Sequence, residues 1–217
     1  MTSIDGKNKG KEKYILVRAA GHLLRIILIV LFLFAIIKNE WLWAFFAAVM
    51  IFITFIPIFL RLYFRINFPY LFDVFICLAF IFHMDYGLFN IFGFIPFYNK
   101  FTHFFSAVVV AFIFLILLFI LNEYYRGVAV NNLKILFDVI VITMAFGVVW
   151  EFMEWTSDFL FGWKTQPGLN DTMGDLFADT LGGLFIALIG YILIKRGVLK
   201  RFSRNLRKQF DALIDDN

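Results

Sequence analysis

Apolar residues run along this chain in six blocks, approximately Ala19 to Ile37, Trp41 to Leu60, Tyr70 to Tyr86, Phe101 to Leu121, Leu133 to Phe161 and Asp175 to Ile194, with short polar joints between them. Each block reaches or approaches the roughly 20 residues that a helix needs to cross a bilayer. The third is the shortest and the fifth the longest, so the third is expected to tilt least or to be partly re-entrant. The pattern predicts an all-α fold, a polytopic transmembrane helix bundle of about six spans. It divides the chain into a basic tail over 1–18, a transmembrane domain over 19–196 and a basic amphipathic tail over 197–217.

Composition supports the same class. Of the 217 residues, 62% are hydrophobic and 21% aromatic, and the mean hydropathy is +0.85, more apolar surface than a soluble fold can bury. A formal charge of +4 invites a nucleic-acid reading, but the basic residues lie mostly in the two tails, so no nucleic-acid partner is expected. The partner is the lipid bilayer. The lone Cys77 excludes an internal disulfide and argues against a thiolate metal cluster. The lysine-rich stretch from Met1 to Tyr14 is not followed by a small-residue cleavage pattern, and the first span is expected to serve as an uncleaved anchor.

Charge then orients the bundle. Lys7, Lys9, Lys11, Lys13 and Arg18 precede the first span, Arg61, Arg65, Arg126 and Lys134 lie in the second and fourth joints, and Lys195, Arg196, Lys200, Arg201, Arg204, Arg207 and Lys208 follow the last. The other three joints carry only Lys38, Lys100 and Lys164. The positive-inside rule therefore places both termini in the cytoplasm and the chain in the cytoplasmic (inner) membrane. Trp41, Trp43, Trp150, Trp155 and Trp163 fall near the outer boundary that this orientation gives, as an interfacial belt does. Beyond the last span, Val198, Leu199, Phe202, Leu206, Phe210 and Leu213 recur at helical spacing between basic residues. That stripe reads as an amphipathic helix bound to anionic lipid on the inner leaflet, or as a solvated tail or a short helix docked on the bundle.

Ionisable groups inside such spans cost at least roughly 2.5 kcal/mol each and call for a reason. Glu151, Glu154 and Asp158 are separated by three and then four residues, and Asp171, Asp175 and Asp179 by four each, so each set shares one helix face. Asp171 is also a candidate helix cap. Gly182, Gly183, Ala187 and Gly190 continue the second stripe and allow close helix approach. His83 ends the third span and His103 opens the fourth. Topology places all of these at the outer end, and His83, His103, Glu151, Glu154, Asp158, Asp175 and Asp179 form the candidate metal-ligand set. Several carboxylates sharing a low-dielectric site require protonation or a cation, and with imidazoles present that cation is Zn, Mn or Mg. An interhelical hydrogen-bond network, or a rim of acids reaching water, explains the same residues without a metal. Asp73 and Asp138, near inner helix ends at the depth of His22 and Arg25, are expected to pair or snorkel. The segment from Lys164 to Gly168 reads as a turn, with a lid over the acids as the lesser alternative.

Tyr98-Asn99-Lys100-x-x-His103-Phe104, Glu151-x-x-Glu154-Trp155 and Asp171-x-x-x-Asp175-x-x-x-Asp179, in that order, resemble the YjdF-like family of predicted bacterial and archaeal inner-membrane proteins and, more distantly, the VanZ-like membrane proteins. The resemblance covers about residues 83–190. It departs at Asn99, where that family usually has Asp. It implies a multi-pass fold without an established reaction, and the link of VanZ-like proteins to glycopeptide resistance implies envelope chemistry.

Three functions fit these residues. One is a divalent-metal-dependent enzyme acting on a lipid-linked or envelope substrate, with Glu151, Glu154 and His103 as the catalytic group. The second is a cation-binding transporter, whose site would be expected nearer the midplane. The third is a non-catalytic scaffold whose acids lock helices together. The sequence sets no oligomeric state.

Overall fold

A computed structural model describes residues 2–63, 69–88, 94–95, 97–124, 131–163 and 165–205. Six long helices account for most of them: α1 (Thr2–Ile37), α2 (Trp41–Tyr63), α3 (Leu71–Leu88), α4 (Tyr98–Tyr124), α5 (Asn132–Phe161) and α6 (Leu169–Lys195). A further helical stretch covers 198–205, and no strand occurs among the described residues.

Side-chain placement explains why these helices belong in lipid. On α2 the buried positions are Ala44, Ala47, Met50, Thr54 and Pro57, while Phe45, Phe52 and Phe59 point outward. α6 repeats the scheme, with Asp175, Ala178, Asp179, Gly182, Gly183, Ile186, Ala187 and Gly190 inside and Phe177, Phe185 and Leu188 outside. Small and polar residues face the neighbouring helices and large apolar ones face away, which water would punish and a bilayer rewards. By length and composition, five helical segments qualify as spans: Tyr14–Ile37, Trp41–Tyr63, Tyr98–Asn122, Asn132–Phe161 and Leu169–Lys195. The third apolar block forms the 18-residue α3, the shortest of the six helices. It carries Asp73 and Asp85 and does not qualify on its described residues.

Helix ends differ from the hydropathy boundaries. α1 begins at Thr2, inside the stretch read as a tail, and α4 and α6 begin at Tyr98 and Leu169, ahead of the expected Phe101 and Asp175. Asn99, Lys100 and Asp171 therefore sit on helices. Gly168 rather than Asp171 caps α6, with no side-chain cap bond. Asn131 caps α5 by accepting from the Leu133 amide at 3.1 Å, and Gly162 ends that helix at φ 69°, in the left-handed region that suits glycine. In the 198–205 helix Leu199 and Ser203 are buried while Lys200, Arg201 and Arg204 are exposed. Of the stripe residues in that helix Phe202 is half-buried and Val198 exposed, and Leu206, Phe210 and Leu213 lie outside the described residues.

The helices fall into two compact units, α1 to α3 in one and α4 to α6 in the other. In each unit every helix packs on the other two. The first is tied by Asp73, which accepts from Arg25 of α1 and Arg61 of α2, so the expected pairing of Arg25 with Asp73 is present. Arg25 also donates to the Thr54 carbonyl at 2.8 Å, in the stretch of α2 where Pro57 lacks an amide to continue the ladder. Asp138 pairs with Lys134 of its own helix at 2.6 Å. The second unit is drawn tight by glycines. A Cβ on Gly182 would lie 2.8 Å from the Phe104 carbonyl oxygen and 2.7 Å from Ala107 Cβ, and one on Gly183 would lie 3.4 Å from Ile140 Cα.

Candidate functional site

The close approach of α4, α5 and α6 concentrates polar groups at one end of the second unit. His103, in the second turn of α4, is 3% exposed, Glu151 of α5 is 4% exposed and Asp175 of α6 is fully buried. One donor atom from each of the three lies within 4.8 Å of the other two. Asp179, one turn below Asp175, faces His103 Nδ1 across 3.4 Å, while His103 Nε2 is 3.7 Å from Asp175 Oδ1. Gly147 makes room for this: a Cβ there would come within 3.0 Å of Asp179 Cγ. With a carboxylate facing each ring nitrogen, the imidazole either is protonated on both or, with a cation at Nε2, stays neutral and donates from Nδ1 to Asp179, as metal-bound histidines commonly do.

Glu151 carries the most informative atom. Its Oε2 accepts from Gln166 Nε2 at 3.2 Å, but its Oε1 is buried with no hydrogen-bond partner. A buried carboxylate oxygen without a donor is costly unless something positive stands against it. Glu154, one turn further along α5, accepts from Trp150 Nε1 at 2.8 Å and interacts electrostatically with Glu151, His103 and Asp175.

Among the described residues, one lysine supplies counter-charge inside the cluster. Lys100 Nζ reaches Asp175 Oδ1 at 2.9 Å and Asp171 Oδ1 at 2.5 Å, and donates to the Asp171 carbonyl at 3.0 Å. Asn99 Nδ2 donates to both oxygens of Asp175, at 3.2 and 3.1 Å. Lys100 can offset one of these negative charges, while among the described residues His103 is the one potential cation beside Glu151, Glu154 and Asp179. In a low-dielectric surrounding that set needs protons or a cation.

Of the seven residues expected to gather, the structure brings together His103, Glu151, Glu154, Asp175 and Asp179. Asp158 goes elsewhere: it accepts from the Thr165 amide at 2.8 Å, the Thr165 hydroxyl at 2.6 Å and the Gln166 amide at 2.9 Å, and so fastens the loop after α5. His83 lies buried on α3 in the first unit, two residues before a buried Asp85 that the stripe pattern passed over. Three further residues escaped sequence reading as site residues. In the sequence Lys100 stands out as a joint charge and a motif residue, Asn99 as a departure from that motif, and Gln166 as part of a turn or lid, none of them as a site residue. The last bridges Glu151 and Thr172, donating to Thr172 Oγ1 at 2.6 Å; Lys164 lies outside the described residues. A lysine placed among carboxylates one helix turn from a histidine was the available signal for the first.

His103, Glu151 and Asp175 offer one imidazole and two carboxylates, a donor set suited to Zn, Mn or Mg. Donors on a tetrahedral ion stand roughly 3.4 Å apart, so the present spacing needs only rotamer adjustment to close. Three protein donors would leave at least one position open to water or substrate.

The fold and this cluster define a multi-pass helical membrane protein with a buried histidine–carboxylate group. The chain belongs to the DUF2238 family of predicted membrane proteins, whose family model matches residues 20–196. It is also similar to an uncharacterized protein of Thermotoga maritima, 33% identical over 103 residues, 47% of this chain and 52% of the relative. The chain thus spans about half the length of that curated relative. No solved structure matches it.

Proposed function

We infer that the cluster at the end of the second unit is a divalent-cation site, and that the protein is a metal-dependent membrane enzyme acting on a lipid-linked or envelope substrate. The observation that carries this reading is the unpartnered, buried Glu151 Oε1 within reach of His103 and Asp175. His103, Glu151 and Asp175 would hold the ion, with Asp179 orienting the imidazole through Nδ1. A bound cation would supply Lewis acidity, activating water or polarising a phosphate or ester oxygen. Glu154, half-buried and held by Trp150 at one oxygen, would serve as general base or further ligand. The charge asymmetry of the joints supports placing the site toward the outer face, and the resemblance to VanZ-like proteins supports an envelope substrate.

A second reading has its own support. Lys100 and Asn99 already occupy Asp175, as they would if the acids served only to lock α4 to α6. The two readings separate cleanly by metal analysis. The cation reading expects near-stoichiometric metal in purified protein, lost in Glu151→Gln and Asp175→Asn. It also expects chelator to lower the Tm of the parent and scarcely that of either variant, since saturation at 100 Kd stabilises by about 2.7 kcal/mol. A metal-free parent indifferent to chelator, with carboxamides tolerated, would leave helix locking as the function of these acids.

A further inference from the structure

Independently of the cation site, the first unit buries a second group of charges in which cations outnumber acids. Asp73, in the first turn of α3, is 1% exposed and gives one oxygen to Arg25 and the other to Arg61. Arg25 spends its other donors on the Thr54 carbonyl. Arg61 has no comparable outlet: its side chain is 10% exposed, its guanidinium lies 4.1 Å over the Tyr70 ring, and its Nε is buried without a hydrogen-bond partner. Exposed Arg18 reaches toward the same ring, at 5.7 Å. Among the described residues no second acid pairs with Arg25 or Arg61.

Two guanidiniums against one carboxylate leave a positive excess, and a buried charge without its counter-ion is strongly unfavourable. The tyrosine face relieves part of that; it does not satisfy the N–H. The group also sits at a telling level. Arg18 lies in the first turns of the span Tyr14–Ile37, and Arg61 in the last turn of Trp41–Tyr63. Asp73 is in the first turn of α3. Tyr14 and Tyr70 meet edge to face at 4.9 Å between centroids, as amphipathic rings do at a headgroup boundary. The guanidinium fork matches the paired oxygens of phosphate and carboxylate anions, and at a headgroup boundary the abundant anion is phosphate.

We propose that Arg61 and Arg18, beside Tyr70 and backed by the Arg25–Asp73 pair, form a binding site for a phosphate-class anion, either the headgroup of an anionic phospholipid or free phosphate. The position at the end of the spans favours the lipid, because a headgroup is delivered there by the bilayer itself.

The test uses the full chain in a zwitterionic detergent, with short-chain phosphatidylglycerol, short-chain phosphatidylcholine and inorganic phosphate as separate ligands and saturable thermal stabilisation as the readout. Phosphatidylglycerol should stabilise the parent saturably, and Arg61→Gln should weaken its apparent affinity about tenfold or more, the scale of one charge-assisted hydrogen bond. Arg18→Gln should weaken it less, and Lys38→Gln, an exposed charge just past the far end of α1, not at all. Equal potency of inorganic phosphate would identify the free anion as the ligand and sustain the site. Should Arg61→Gln fail to fold, Arg61→Lys, which keeps the charge and loses the fork, and Arg18→Gln carry the comparison. The proposal is overturned if neither phosphatidylglycerol nor phosphate stabilises the parent, if phosphatidylcholine does so equally, if Lys38→Gln weakens binding as much as Arg61→Gln, or if Arg18→Gln and Arg61→Lys both bind as the parent does.

Discussion

Gly182 is where the architecture of the second unit is most exposed to a single atom. An alanine Cβ there would lie 2.7 Å from Ala107 Cβ, 2.8 Å from the Phe104 carbonyl oxygen and 3.1 Å from the Val108 amide nitrogen. Two of those three neighbours are backbone, so the strain is relieved only by moving α4 off α6. Overpacking of this kind costs about 1–3 kcal/mol, and the better helix propensity of alanine returns about 1 kcal/mol, leaving Gly182→Ala destabilised by up to about 2 kcal/mol. Gly190 supplies the control. Its Cβ would meet the methyl ends of Leu115 and Leu136 at 2.9 Å, tips that can rotate aside, so Gly190→Ala should fall within about 0.5 kcal/mol of the parent. Unfolding both variants and the parent with dodecyl sulfate in mixed micelles, followed by tryptophan fluorescence, measures the difference. A neutral or stabilised Gly182→Ala, or a Gly190→Ala that suffers as much, would refute the backbone-to-backbone approach of α4 and α6 on which the placement of His103 against Asp175 and Asp179 rests.

Other expectations follow from the same geometry. Lys100→Met removes the ammonium from Asp171 and Asp175; the metal-free protein should lose about 1–3 kcal/mol of stability, while affinity for a divalent cation rises in a site made more negative, and weaker cation binding in titration calorimetry would count against the charge balance described above. For topology, a Cys77→Ala background with single cysteines at positions 7, 126 and 204 should react with an impermeant maleimide only after cells are opened, and cysteines at 100 and 168 should react in intact cells; labelling of 7 or 204 from outside would reverse the orientation.

Much of the fold was legible because apolar length is a coarse, robust signal, and because the acids of α5 and α6 repeat at helical spacing. What hydropathy misplaced were helix ends. Lys100, Asp171 and Asn99 look like loop residues to a hydropathy scale, yet they pair with one another or with Asp175 inside the protein, so the helices carry them without exposing them. Within the site, helical spacing placed Glu151, Glu154 and Asp158 on one face correctly, but not at one depth. Seven residues of helix separate Glu151 from Asp158 by about 10 Å, far enough for the loop at Thr165 and Gln166 to claim the latter. His83 belongs to α3, which packs with α1 and α2 in the first unit; lying at a span end does not say which helices are neighbours. The pairing of Arg25 with Asp73 followed from shared depth. The third member, Arg61, had been accounted for as an orienting charge.

The most direct test of the cation site is anomalous diffraction from crystals of the full chain grown with manganese or zinc. The account predicts a single strong peak about 2.0–2.2 Å from His103 Nε2 and from oxygens of Glu151 and Asp175, with Lys100 turned toward Asp171. Crystals that bind the metal nowhere near these residues, with Lys100 Nζ still on Asp175 and Glu151 Oε1 hydrogen-bonded as a protonated acid, would contradict it.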